Sequence, residues 1–343
     1  TWAKLINTIQ RDINSGNLKL LTDVASSMGK NVRSNIITTS FISSFKTGGW
    51  GIKGGKLKKD VTQIINRDNI ISAKVHPDTI DVNLSRTDQQ TKLRQVQRDQ
   101  YGFICPVSTS EGKNAGLVKD RSVVCQVSID RTDNEIIRYI VGDSALGVEA
   151  KATFDTDEAY DKGYNYKLMV NGKFLGWADG ITLEKELIDG RRENKFFNDM
   201  SVIREQDYPN PEDGGWLHVD ISPNRPLNPL LIVTADQEIV MNKLGLENST
   251  IKELFARGAM EYLSPWEQTK RRVALEAKDI TKRLDAIKLL EETVKASKGF
   301  ERELAEQTLA TYIKEHEPFT HCSIDGKSFL SLQASLVPYP GNN

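Results

Sequence analysis

The sequence predicts an α+β protein of more than one domain. Residues 2–48 run in helical rhythm, residues 121–236 change to short strands around a hairpin turn, and residues 266–298 form a long amphipathic stretch. A chain of 343 residues has room for two or three domains of ordinary size.

Trp2, Leu5, Ile6, Ile9 and Ile13 share one helical face, and Gly16 ends that helix. A second helical stretch covers about 18–28 and breaks at Gly29-Lys30. A third sets Ile36, Ile37, Phe41 and Phe45 near helical spacing. Residues 48–60, GGWGIKGGKLKKD, hold five glycines and four lysines around Trp50. Glycine gives the backbone freedom and lysine gives positive charge, so this is either a plain linker or a mobile loop that touches a phosphate backbone. Residues 60–77, DVTQIINRDNIISAKVHP, read as one helix with polar interruptions, ending before Pro77.

From Arg121 to Asp236, SVVCQVSI, IIRYIV, YKLMVNGKFLGWA, GWLHVDI and PLLIVTA read as strands, with Asn171-Gly172 as a hairpin turn. TLEKELIDGRRENK between them reads as a helix. STIKE at residues 249–253 is a capping signature that opens another helix. Residues 266–298 then read as a single helix, an amphipathic arm on a core, with Ala277, Ile280, Leu284, Ile287 and Val294 as its apolar stripe and Gly299 as its end. A further helix spans about 300–315. The opening on TWAKLINTIQ without Met, and the close on GNN, read as those of a piece of a longer protein.

Composition narrows the function classes. Apolar residues at 38% suffice for a core, and no apolar run approaches the roughly 18 residues of a membrane helix. Cys105, Cys125 and Cys322 lie far apart and form no CxxC. Neither a disulfide framework nor a Cys-rich zinc site is favoured, and a reducing compartment fits best. His321 beside Cys322, with His316 nearby, is a weak ligand set, because adjacent residues rarely hold one ion; no metal site is expected. No GxGxxG follows a strand, and GxxxxGK[ST], GxSxG and HExxH do not occur. The net charge of -1 hides an asymmetry: Thr1–Asp120 holds 18 Lys and Arg against 10 Asp and Glu. A basic first third is either the footprint of a polyanion partner or a set of scattered solvated lysines.

One stretch stands apart, CPVSTSEGKNAGL from Cys105 to Leu117. By its own spacing it is a polar loop with no assigned chemistry. The wider stretch RQVQRDQYGFICPVSTSEGKNAGLVK, Arg94–Lys119, resembles the most characteristic block of the second-largest, β-like subunit of multisubunit DNA-directed RNA polymerases. That pattern is R-x-x-H-x-x-x-(W/Y)-G-x-x-C-P-x-E-T-P-E-G-x-x-x-G-L. Arg94, Tyr101, Gly102, Cys105, Pro106, Thr109, Glu111, Gly112, Gly116 and Leu117 fall in place. TGGWGIKGGKLKKDVTQIINR resembles the family's fork region, with Trp50, Gly51, Val61, Gln63, Asn66 and Arg67 matching and His76 at the family's spacing. VNGKFLG, DISPNRPLNPLLIV, GAMEYLSPWEQ and FTHCSIDGKSFLSLQASLVPYPGNN resemble further blocks, in the family's order and across almost the whole chain.

The resemblance implies an architecture: residues 1–120 as lobe-end helices and the fork, 121–315 as a mixed external region, and 316–343 as the first strands of a truncated, β-rich hybrid-binding core. It implies part of a polymerase subunit that shapes the active-centre cleft and contacts template DNA, nascent RNA and nucleoside triphosphates. Its partners would be the largest subunit and the other polymerase subunits, with no membrane. The catalytic Mg2+ would be held mainly by the largest subunit, with no zinc in this segment, so the chain is not expected to polymerise alone. An intracellular location follows, cytoplasm or nucleus, or host cell or virion for a viral enzyme. The alternative is a non-catalytic nucleic-acid-binding module derived from the fork.

The same resemblance assigns residues. Lys53, Lys56, Lys58 and Lys59 would form the fork loop facing DNA. Gln63, Asn66, Arg67 and His76 would line the pocket near the growing RNA, and Arg86 and Arg94 would flank the active centre. Glu111 would stand close to the nucleotide-borne magnesium. The sequence departs from the pattern at Gln97, where the family has His, and at Ser108 and Ser110, where it has Glu and Pro. Without that proline the loop before Glu111 is less stiff. Ser222, Asn224 and Asn228 dilute another block, and the drift suggests a virus- or plasmid-encoded enzyme.

Overall fold

A computed structural model describes residues 6–7, 10–11, 13–16, 36–47, 64–82, 90–142, 149–207 and 214–338. Contacts divide the chain into two units, Thr1–His76 and Pro77–Asn343.

In the first unit, the described residues before Gly16 are helical up to Asn14, and Gly16 takes a φ of 75°. Helix α1 spans Ile36–Thr47 and α2 spans Ile70–Val75. The helix expected over 60–77 is therefore shorter. Asn69 is the reason: its backbone is extended and its side chain accepts the Ser72 N–H at 2.7 Å, which starts the helix there. Ile64–Arg67 stay non-helical. The second predicted helix, about 18–28, lies outside the described residues, as does the glycine-lysine stretch.

The second unit begins with β1 (Thr79–Asp81), α3 (Thr91–Arg94), β2 (Ile104–Thr109) and β3 (Val118–Arg121), whose strands form a sheet in the order β1-β3-β2. Of the predicted strand SVVCQVSI only β4 (Gln126–Val127) is extended in a ladder. IIRYIV, expected as a strand, is helix α4 (Asn134–Val141). Ile136 and Ile140, four residues apart, are both fully buried, and Gly142 at φ 85° ends the helix. A six-residue stretch that is apolar but for Arg138 carries no decisive period, so burial on one helical face settles it.

A five-stranded sheet follows, built from β5 (Ala152–Thr153), β6 (Tyr166–Val170), β7 (Lys173–Ala178), β8 (Ser201–Gln206) and β9 (Gly215–Asp220) in the order β5-β7-β6-β9-β8. Helix α5 (Thr156–Lys162) precedes β6, and α6 (Gly180–Arg192) follows β7. Asn171 and Gly172 both take positive φ, 48° and 76°, as the predicted hairpin requires. Leu168, Val170, Leu217 and Val219 pack on Ile136, Ile140, Leu183 and Leu187 from α4 and α6 to form the main core.

The third sheet runs β11-β10-β13-β12. Its elements are β10 (Pro226–Ile232), α7 (Val240–Lys243), α8 (Ile251–Ala256), β11 (Met260–Leu263), α9 (Pro265–Thr269), β12 (Val273–Ala274), α10 (Ala277–Ala296), α11 (Phe300–Glu315), β13 (His321–Cys322) and α12 (Leu332–Leu336). Thr250 and Glu253 make the predicted capping box on α8. The helix expected over 266–298 is three elements instead. Ser264 and Pro265 start α9, β12 leaves to pair with β13, and a second capping box, Glu276 with Asp279, starts α10. Beyond residue 316, β13 sits between β10 and β12, so the tail completes a sheet that earlier strands begin.

A buried ionic cluster joins these elements. Fully buried Arg191 donates to Glu261 Oε2 at 2.6 Å, to Glu267 at 2.9 and 3.0 Å, and to the Met200 carbonyl at 2.7 Å. Arg192 Nη2 and His321 Nε2 lie 2.6 and 2.8 Å from Glu261 Oε1. Burial alone pushes both carboxyls up. Around Glu261, Arg191, His321 and Arg192 overcome it and hold that group well below the usual carboxylate range; Glu267 faces Arg191 with fewer donors and stays raised. Burial also pushes His321 below its usual 6.5, against the pull of Glu261. The unfolded chain then takes up a proton that the folded imidazole refuses. Stability is expected to fall as pH drops through about 6.5 and to level off below the folded value. Equilibrium unfolding at pH 7.5 and 5.5 measures this slope, and His321→Gln should flatten it.

Candidate functional site

The loop that carries Glu111 connects β2 to β3. Ile104 pairs with Arg121 and Thr109 with Lys119, so β2 carries more residues than its partner over this stretch. Pro106 has no N–H to give the ladder, which fits a break at that point. The Cys105 side chain turns inward onto Leu330 and Ala334, and its Sγ accepts the Ser108 N–H at 3.4 Å. After Thr109 the chain leaves the strand, and Glu111 stands exposed ahead of a 3-10 turn, Gly112–Asn114.

Arg94, at the end of α3, clasps that turn. Its Nη1 donates to the Lys113 carbonyl at 3.0 Å and to the Ala115 carbonyl at 2.8 Å. Gly116 permits the close approach: its φ is +75°, and a Cβ there would lie 2.5 Å from the Arg94 carbonyl oxygen. Thr109 Oγ1 accepts the Gly116 N–H and donates to the Val118 carbonyl, both at 2.8 Å. On the other side Lys119, 7% exposed, directs its Nζ to the Leu93 and Gln95 carbonyls at 3.4 and 3.5 Å. Burial pushes the Lys119 pKa down. Arg94 thus holds the Glu111 turn from one side while Lys119 holds the Arg94 turn.

Ser108 acquires a physical role. Its hydroxyl donates to Asp120 Oδ2 at 2.5 Å, and Thr79 donates to Asp120 Oδ1 at 3.0 Å. A glutamate at 108 would set a second carboxylate against buried Asp120, so the serine suits this sheet. The strand is also anchored from the tail: Ser122 donates to the Ser328 carbonyl at 2.7 Å, and Tyr101 OH lies 3.2 Å from Ser323 Oγ. Gln268 donates to the Tyr101 carbonyl at 3.1 Å, which ties α9 to the loop's entry.

In the first unit, the Asn66 N–H donates to His76 Nδ1 at 2.9 Å, and Asn66 Oδ1 accepts the Asp68 N–H at the same distance. These two predicted site residues are brought together, with Arg67 exposed beside them. Lys53, Lys56, Lys58, Lys59, Gln63 and Arg86 lie outside the described residues. Sequence reasoning missed Lys119, Asp120 and Thr79, and no local pattern marks them: Lys119 and Asp120 are adjacent and both buried, and Thr79 lies 41 residues from Asp120. The pair His321-Cys322 is structural: His321 bonds Glu261, and burial pushes the Cys322 thiol up to about 11. Among the described residues no three His, Cys, Asp or Glu side chains converge so as to hold a metal ion. Among them, no helix is long and apolar enough to cross a membrane.

The family model of RNA polymerase Rpb2, domain 3, matches residues 63–127, which include the whole Arg94–Lys119 block. The chain is 26% identical over 321 residues to the DNA-directed RNA polymerase subunit Rpo2 of Sulfolobus acidocaldarius, covering 91% of this chain and 25% of that protein. It is 25% identical over 319 residues to the DNA-directed RNA polymerase II subunit RPB2 of Encephalitozoon cuniculi, with 91% and 25% covered. With the RPB2 of Schizosaccharomyces pombe it shares 26% over 330 residues, with 91% and 26% covered. The chain spans about a quarter of the length of these curated relatives. By its motif blocks, their order and these matches, the chain is similar, over 91% of its length, to part of the second-largest, β-like subunits of DNA-directed RNA polymerases.

Proposed function

We propose that this chain works within a DNA-directed RNA polymerase, where it shapes the active-centre cleft and presents Glu111 toward the incoming nucleotide. The observation that carries the reading is the double clasp of Arg94 on the Glu111 turn. A solvent-exposed carboxylate on an idle loop needs no such bracing. A carboxylate that must meet a substrate does, because small misplacements near reacting atoms are costly. Arg94 acts in this reading as a positioning residue, through the backbone it holds. Asn66, Arg67 and His76, with Gln63 and Arg86, are assigned to the RNA side of the cleft, and Lys53, Lys56, Lys58 and Lys59 to the DNA backbone.

Nucleotidyl transfer itself belongs to the assembled enzyme. The largest subunit is assigned the catalytic magnesium, and template DNA, nascent RNA and nucleoside triphosphates are the assembly's ligands. The chain acts inside a cell, in cytoplasm or nucleus, or in a host cell or virion if the enzyme is viral, as the departures at Gln97, Ser108 and Ser110 suggest. The test is Glu111→Ala in the assembled polymerase. Nucleotide addition is expected to slow on the order of tenfold, about 1.4 kcal/mol of barrier, with assembly unchanged. Unaltered elongation would leave a nucleic-acid-binding module without a catalytic share.

A further inference from the structure

The five-stranded sheet has a second face that the core does not use. Along β6 the buried side chains Tyr166, Leu168 and Val170 alternate with half-buried Lys167 and Met169. The cross-strand register carries this outward set over four strands. One row reads Trp177, Lys167, Trp216, Glu205, and the next reads Phe174, Met169, His218 and, at the covered β8 end, buried Ile203. At one margin Phe154, 62% exposed, packs edge-on against Phe174 at 6.3 Å. At the other, Trp266 of α9 lies 4.9 Å from His218 and donates its indole N–H to Glu205 at 3.1 Å. Three strand spacings make this face about 14 Å wide. That suits one segment of a partner rather than a whole domain.

The centre of the face carries a cation without a counter-ion. Lys167 Nζ sits 4.6 Å from the Trp216 ring centre and 5.6 Å from that of Trp177, and no carboxylate pairs with it among the described residues. Indole faces on two sides hold the ammonium in place and replace part of its water, so a carboxylate reaching it meets a lower dielectric than in bulk water. A nucleic-acid strand is disfavoured as the occupant. It needs cations repeated along its backbone. Here Lys167 is the one cation in the two rows, and Glu205 closes its row with a carboxylate. Aromatic side chains around one fixed charge are the composition of a protein–protein hot spot.

We propose that this sheet face docks a segment of a partner polypeptide that places one carboxylate on Lys167, between Trp177 and Trp216, with apolar side chains on the flanking rings. The proposal rests on the polymerase reading only for the assembly in which it is tested. A photoreactive phenylalanine analogue is placed at position 169 in the purified, assembled polymerase, and the crosslinked peptide is identified by mass spectrometry. The expected product is one polypeptide other than this chain, joined at a segment with Asp or Glu among apolar residues. Lys167→Glu should lower the yield at least tenfold, while Lys167→Arg keeps it. Crosslinks to nucleic acid, crosslinks confined to this chain, no crosslink, or a yield indifferent to Lys167→Glu would each overturn the proposal. Transcription by the same preparation reports on the polymerase reading separately, wherever the crosslink falls.

Discussion

Replacing Glu261 by alanine is expected to lower the unfolding free energy by about 3–5 kcal/mol, the range for removing one partner of a buried ion pair. Glu261 is 2% exposed and accepts from Arg191, Arg192 and His321 at once. Without it the Arg191 guanidinium stays in the interior with Glu267 as its remaining carboxylate, and the His321 imidazole loses its acceptor. Burial then works against every charge left behind. The pairing of elements makes the effect wide: Arg191 sits on α6, Glu261 on β11, Glu267 on α9 and His321 on β13. Urea or thermal unfolding measures it. Arg191→Met combined with Glu261→Leu should recover much of the loss, because a packed apolar pair leaves no buried charge. A loss under about 1 kcal/mol for Glu261→Ala would mean that water reaches the cluster.

The second large effect falls on function more than on stability. Gly116→Val puts a branched side chain where φ is +75° and where even a Cβ meets the Arg94 backbone at 2.5 and 2.8 Å. The strain, on the order of 1–3 kcal/mol, has to be relieved by moving either the α3 end or the Glu111 turn. Either movement breaks the Arg94 clasp on the Lys113 and Ala115 carbonyls. Nucleotide addition by the assembled enzyme should drop on the order of tenfold, as far as for Glu111→Ala, because the turn's share in the reaction is to present that carboxylate. Gly112→Ala is the control: its φ is +68°, yet nothing lies within 4 Å of the added Cβ. It should share the backbone strain without the collision and cost distinctly less in single-turnover rate.

How much of this was legible in the sequence depends on how far apart the deciding residues lie. Asn171-Gly172 announced its hairpin because two adjacent positive φ values need those residues. STIKE announced its helix because Thr250 and Glu253 satisfy each other's backbone within one turn. The block from Arg94 to Lys119 was legible as a pattern, but the clasp inside it was not, since Arg94 and Ala115 are 21 residues apart. IIRYIV failed as a strand because what decides it is the shared burial of Ile136 and Ile140 against distant strands. The single helix over 266–298 failed because β12 is recruited by β13, from the far side of two helices. The ionic cluster joins residues 60 to 76 positions apart, and no local pattern marks such partners. Ser108 looked like a loss of pattern. Its fit to Asp120 became visible only once β2, β3 and β1 were side by side.

The central claim is that the Glu111 turn faces the nucleotide in an assembled polymerase. The most direct measurement places a photoreactive residue at position 111 and supplies a radiolabelled nucleoside triphosphate matched to the template. Label is expected on this chain, dependent on the template base and lost when Gly116→Val displaces the turn. Crosslinking to protein alone, or labelling that ignores the template base, would contradict the placement of Glu111 at the active centre.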